Sequence, residues 1–268
     1  MKKKMLFPFF VSTLLSTQII AQKTIFFGLK AGLSIPSLSA GQNLNDWNKD
    51  YVSRVGPQFG IFANIPLNTN WSLVPELDFA GQGGKRNTLQ PITIPEQYFD
   101  LFQSTFHTDK DYLYGTFKNT SRINFLQLPI QLQYHTHIAL NGRLHFFAQF
   151  GPFIGYMLAA KQIVKSDSLR VFLTEDPASE LPPFLVEEFF GTKVDTIIDG
   201  KKELYHWNYG IQGGIGFSYT LGKGKLSIEG GGNYGLRYLQ IGNEHGKNRI
   251  GAGLVVMSYA LPFNFNKE

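Results

Sequence analysis

From Arg122 the chain reads R-I-N-F-L-Q-L-P-I-Q-L-Q-Y-H-T, with apolar and polar residues taking turns. Leu126, Leu128, Ile130, Leu132 and Tyr134 stand against Gln127, Gln131, Gln133 and His135. Only an extended strand sends such sets to opposite faces. The pattern recurs. From Arg143, Leu144, Phe146, Ala148, Phe150, Ile154, Tyr156 and Leu158 share a face; from Trp207, Trp207, Tyr209, Ile211, Ile215, Phe217 and Tyr219 do. From Lys225, Leu226, Ile228, Tyr234, Leu236 and Tyr238 oppose Lys225, Ser227, Glu229, Asn233 and Arg237. Further strands are expected near residues 24–34, 55–67, 71–83 and 249–263, which makes eight. The stretch 144–160 imitates a helical membrane span. Its Gly151, Pro152, Gly155 and abundant Phe favour a strand instead.

The connections alternate short and long. Asn68-Thr69-Asn70, a stretch ending Asn141-Gly142, and Leu221-Gly222-Lys223-Gly224 read as tight turns. Residues 35–54, 84–121, 161–205 and 239–248 are long loops. Membrane barrels show this rhythm, with short periplasmic turns and longer extracellular loops. The charges decide which face is inside. Opposite the apolar faces lie Lys30, Glu76, Asp78, Arg143, Glu229 and Arg237, among many glutamines and glycines. A small barrel's lumen suits such a mixture, while the apolar face with Phe27, Trp71, Tyr134, Tyr156, Trp207 and Tyr259 near strand ends suits lipid and its aromatic girdles. The expected fold is all-β: an eight-stranded antiparallel up-and-down transmembrane β-barrel with long extracellular loops. A soluble lipocalin-like binding barrel, apolar face inward, is the structural alternative. Pro57, Pro75, Pro129 and Pro152 fall inside proposed strands and are expected at bulges or rims.

Residues 1–21 read as a secretory signal peptide, with Lys2–Lys4, an apolar stretch and Ala21 at the cut. Residues 22–268 are then the barrel domain, exported to the outer membrane. Without Lys2, Lys3 and Lys4 the chain has 22 basic against 20 acidic residues, no footprint for nucleic acid. With no cysteine there is no disulfide scaffold and no thiolate zinc site.

Phe27-Gly28-Leu29-Lys30-Ala31-Gly32, Val74-Pro75-Glu76-Leu77 with Gly81 and Gly84-Lys85, Phe125-Leu126-Gln127-Leu128-Pro129-Ile130 and Gly151-Pro152-Phe153-Ile154-Gly155 follow one another in order. In this they resemble successive strands of the PorT-like outer-membrane β-barrel family of Bacteroidetes-type bacteria. The resemblance implies an outer-membrane barrel; some relatives are associated with protein secretion across that membrane, and most have no assigned activity.

No catalytic residue and no cofactor is assigned. Lys30 and Arg237 are expected to neutralise Glu76, Asp78 and Glu229 in a network, joined by Arg143, that plugs the lumen. His135 and His145 would face each other if residues summing to 280 pair across their hairpin. That makes them weak metal candidates, with hydrogen-bonded rim histidines as the plainer reading. His206, Ser218, Glu76 and Asp78 are the ingredients of a lipid-active barrel enzyme, the functional alternative. Phe99, Phe102 and Phe106 recur at helical spacing behind Pro95 and Glu96. They either pack on the barrel rim or form a docking loop for a protein partner. The expected role is non-enzymatic, structural or secretion-associated, acting through loops and periplasmic rim, with the outer membrane's lipid bilayer and a protein at the loops or periplasmic rim as the expected partners.

Overall fold

The computed structural model describes residues 24–43, 45–139, 142–242 and 246–263; the proposed signal peptide lies outside these. Eight long strands form the barrel: β1 (Ile25–Asn43), β3 (Gly56–Pro66), β4 (Trp71–Arg86), β7 (Lys118–Ala139), β8 (Leu144–Ser166), β11 (Trp207–Leu221), β12 (Gly224–Gly235) and β13 (Lys247–Phe263). Each pairs antiparallel with the next, and β13 returns to β1 from Ile25↔Phe263 upward, so the ring closes without an edge. Five short strands lie outside it: β2 (Val52–Ser53), β5 (Leu89–Thr93), β6 (Tyr112–Thr116), β9 (Val171–Phe172) and β10 (Val194–Asp199). Two short helices, α1 (Phe99–Phe106) and α2 (Pro183–Phe189), and three single-turn 3-10 helices (Glu96–Tyr98, Pro177–Ser179 and Lys201–Glu203) complete the described elements. No described helix is long and apolar enough to cross a membrane.

The faces are assigned by exposure. Leu128, Ile130, Phe150 and Ile211 are 43, 44, 60 and 42% exposed, while Glu76 and Asp78 are 4 and 0%. Apolar side chains therefore point outward and charges point to the axis, the reverse of a lipocalin-like barrel. On β8 the outward apolar run from Phe146 to Leu158 spans roughly 40 Å of strand, or about 30 Å along the axis at ordinary tilt, enough for a bilayer's hydrocarbon. Aromatic pairs mark its borders: Trp71–Tyr134 with ring centroids 5.2 Å apart at one end, Tyr156–Trp207 at 4.9 Å at the other. β13 alternates less cleanly because its inward residues Ala252, Leu254 and Val256 are apolar too.

The turn between β11 and β12 has Gly222 at φ +60, between the paired Leu221 and Gly224. A residue with a Cβ is strained there, and a glycine at the first central position is what a two-residue hairpin of this hand requires. The prolines are not at bulges. The register runs unbroken past Pro75 and Pro129, and the shifts fall instead between Ser37 and Asn43 and at Asn124/Phe125 and His137/Ala139. In an antiparallel ladder each residue's N–H points to one neighbour only, so a proline forfeits one bond and leaves the other pairing intact. Pro57 is the second residue of β3. β1, β7 and β8 run 19, 22 and 23 residues, well beyond the ~10 a bilayer needs. Their surplus rises from the end carrying the long loops. Stretches expected as loop, such as 161–166, are strand because β7 and β10 pair with them.

Candidate functional site: a filled lumen under a folded cap

The lumen is polar in its lower half. Lys30 Nζ of β1 donates to Glu76 Oε2 at 2.5 Å and lies 3.0 Å from Asp78 Oδ2, all three side chains being buried. Gln58 Nε2 donates to Asp78 Oδ2 at 3.1 Å, and Gln212 Nε2 reaches Glu76 Oε2 at 3.5 Å. A second relay crosses the barrel: Asn64 donates to Gln133, Gln133 to Gln149, and Gln149 to Glu229 Oε1, at 2.7, 2.8 and 2.9 Å. Glycine makes room for the acids. A Cβ on Gly60 would sit 2.1 Å from Asp78 Oδ1, and one on Gly214 2.4 Å from Glu229 Oε1. A cavity of about 70 Å³, bordered by His145, Ser218, Lys225 and Glu229, remains near the short-turn end.

Two expected members stay outside this network. Arg143 is exposed in the β7–β8 turn, where its carbonyl accepts the Thr220 N–H at 2.9 Å. Arg237 lies beyond the end of β12, its guanidinium 3.7 Å from the centre of the Tyr205 ring. Strand parity cannot be extended past the last paired residue, and neither arginine joins the lumen's ion pairs. The histidine register also differs. His145 pairs with His137, and His135 with Phe147, so pairs sum to 282 rather than 280: the hairpin is centred one residue later than expected. The His135 and His145 rings are 6.5 Å apart between centres, and the described residues hold no cluster of three metal-ligating side chains. The enzyme ingredients are dispersed as well. His206 packs near Tyr156 at the opposite end of β11 from Ser218, twelve residues or roughly 40 Å away, while Glu76 and Asp78 are held by Lys30.

Above the polar half an apolar layer crosses the lumen: Leu38, Ala80, Ile123, Phe125, Met157, Ala160, Leu239 and Ile250. Its upper surface floors a cavity of about 550 Å³ at the outer mouth, walled by Trp47, Tyr51, Gln162, Leu204, Gln240 and Asn248.

Over the mouth, residues of the two longest loops fold together. β5, β6 and β9 form a three-stranded sheet. Ile94, Phe102, Leu113, Leu169, Val171, Leu181 and Val186 make its core, with α1 and α2 packed against it. This corrects the docking expectation for Phe99, Phe102 and Phe106. Phe102 is 0% exposed, wedged 5.3 Å from the Phe106 ring and 5.2 Å from Phe189, and Phe99 and Phe106 cover the same core. The helical spacing on α1 serves the cap's interior.

Asp46, in the first loop, pins the cap. It accepts from Lys49 Nζ at 2.8 Å, the Tyr112 hydroxyl at 2.9 Å and the Tyr114 hydroxyl at 2.5 Å. The buried Arg86 guanidinium donates to the carbonyls of Asp46 and Leu89, both at 2.7 Å, and Lys49 also bonds Glu175 in the third loop. Sequence reading missed this hub because a loop acid carries no period that marks it. Partial burial opposes ionisation of Asp46, yet the bonds from Lys49, Tyr114 and Tyr112 hold its carboxyl well below the ordinary range. Burial, then the bond to Asp46, pushes the Tyr114 phenol up to about 12. The signs follow. The carboxylate's contribution is complete above its ordinary value of 3.8 and fades only below it, whereas the phenol's is complete below its ordinary value of 10.0 and is lost as pH rises toward 12. Limited proteolysis of the cap is therefore expected to stay unchanged from pH 7 to 4 and to accelerate between pH 10 and 12. Acceleration at pH 4 would contradict the Asp46 assignment.

A closed ring of eight strands, greasy outside and charged within, defines a membrane-spanning β-barrel of the outer-membrane class, and the outer membrane is where this protein sits. The chain belongs to the family described as outer membrane protein beta-barrel domain, whose profile matches residues 20–239. No curated protein matches it significantly. Among solved structures it is similar to OprG from Pseudomonas aeruginosa (10% identity, TM-score 0.41, 92% of this chain and 99% of that one). It is also similar to Neisserial surface protein A (14%, 0.36, 90% and 100%) and to the outer membrane protease OmpT from Escherichia coli (9%, 0.31, 90% and 97%). None of the three lends this chain a function.

Proposed function

We propose that this is a non-enzymatic, non-conducting outer-membrane barrel that works through its outward cap and rims, as a structural or secretion-associated component. The reading is carried by one observation: side chains fill the lumen in two layers, a hydrogen-bonded polar one and an apolar one, beneath a cap with its own core. A lumen filled in this way is expected to leave no continuous aqueous path, and the cap presents the barrel's preorganised surface to the outside. The ordered strand motifs that resemble the PorT-like family support the secretion-associated form of the role. Against the lipid-active alternative stands the distance between Ser218 and His206, too great for a nucleophile and its base. The purified protein is expected to pass no current above leak in planar bilayers and to release no fatty acid from phospholipid vesicles. Large, stable conductance steps would overturn the sealed lumen, and hydrolysis abolished by Ser218→Ala would overturn the non-enzymatic reading.

A further inference from the structure

The outer wall changes character abruptly above the apolar belt of β7 and β8. Going up β7, the outward residues are Leu128, Leu126, Asn124, Arg122, Thr120 and Lys118; on β8, Leu158 is followed by Lys161, Ile163 and Lys165. The intervening residues Ile123 and Ala160 are buried in the lumen's apolar layer, so the bases point away from the axis. Register sets them side by side. Arg122 pairs with Lys161 and Lys118 with Lys165, while Lys85 of β4 pairs with Thr120 between them. Arg54, in the connection before β3, lies close enough for its guanidinium to be lowered, after burial, by the charge of Arg122. Lys85, Lys118, Arg122, Lys161 and Lys165, all exposed, thus share a patch about 10 Å wide and 13 Å tall, with the half-buried Arg54 beside it.

Like charges directly opposite on a ladder repel. Here two such pairs follow one another with little internal relief. Asp195 meets Lys165 at 3.2 Å. Asp199 is the register partner of Lys161, but its carboxylate accepts the Lys201 N–H at 3.0 Å. Among the described residues, Arg54, Lys85, Lys118, Arg122 and Lys161 form no ion pair with a carboxylate. The patch begins two outward positions above Leu126, the register partner of Tyr156, and so about 13 Å of strand above the Tyr156–Trp207 border, on the side of the long loops. That is the depth at which outer-leaflet lipids carry their head groups.

We infer that Lys85, Lys118, Arg122 and Lys161 form a binding site for the phosphate groups of an anionic outer-leaflet lipid, whose acyl chains lie on Leu126, Leu128 and Leu158 below. Arginine offers a fork to phosphate oxygens and the lysines supply point charges. The adjoining greasy wall is what selects a lipid over a free anion. The site is independent of the proposed role of the cap.

The test uses the full chain in neutral-lipid nanodiscs with a fluorescent diglucosamine glycolipid bearing two phosphates, its dephosphorylated twin, and inorganic phosphate. Wild type is expected to retain the phosphorylated lipid well above the dephosphorylated one. The triple variant Lys118→Gln/Arg122→Gln/Lys161→Gln is expected to bind it about 100-fold more weakly, since each base near an anionic leaflet contributes about fivefold. Lys223→Gln, in a short turn at the other end, leaves binding unchanged. Lys118→Arg/Lys161→Arg retains it, which separates lost charge from misfolding, and heat-modifiable gel mobility verifies that every barrel is closed. Binding by the triple variant within twofold of wild type would overturn the assignment. So would inorganic phosphate displacing the lipid at equal concentration.

Discussion

Replacing Lys30 by Met is expected to cost the barrel about 3–5 kcal/mol, the largest loss from any single change in the lumen. The ammonium is the partner of both Glu76 and Asp78, and neither carboxylate has another cation within ion-pair distance among the described residues. Removing it leaves uncompensated negative charge where side chains are almost wholly screened from water, with Glu229 facing the same lumen. Urea titration of the protein folded into vesicles, read by gel mobility, should show a lower midpoint. The neutral triple variant Lys30→Met/Glu76→Gln/Asp78→Asn should recover most of the loss, because a buried ion group exchanged as a whole costs little while a broken one costs much. A single variant as stable as wild type would mean that the cluster is not the barrel's central fastening.

Phe102→Ala is expected to unfold the cap and spare the barrel. Truncating a fully buried phenylalanine costs about 3–5 kcal/mol, a large share of what so small a core can hold. The ring touches aromatic side chains of α1 and, through Phe189 and Phe190, of the end of α2, so its loss separates the two loops. Protease should then cut within residues 97–110 and 181–190 at once, while the barrel keeps its heat-modifiable migration. Cleavage confined to one of these segments would show that they do not fold as a unit.

The barrel was legible in the sequence because period two is local: Leu126 through Tyr134 declare their face without reference to any neighbour, and Glu76 and Lys30 declare theirs by opposition. Parity holds only while the ladder lasts, which is why Arg237, past the end of β12, was misplaced among the lumen charges. The histidines were misaligned by two because the residues between the two strands do not declare where the hairpin is centred. The cap was legible only in part. The spacing of Phe99, Phe102 and Phe106 announces a helix, but the surface it covers comes from residues 169–190, and no local pattern names a partner so distant. The basic patch escaped notice for the related reason that 161–166 read as loop. Once β10 and β7 flank that stretch, Lys161 and Lys165 acquire a direction.

The cap takes half its interior from each of two segments separated by a complete passage down and back through the bilayer, along β7 and β8. Neither segment buries its phenylalanines until both have emerged on the far side of the membrane. Its assembly thus reports that the hairpin between them has already been inserted. Antibodies raised against either peptide alone would recognise the chain before that moment and lose it afterwards.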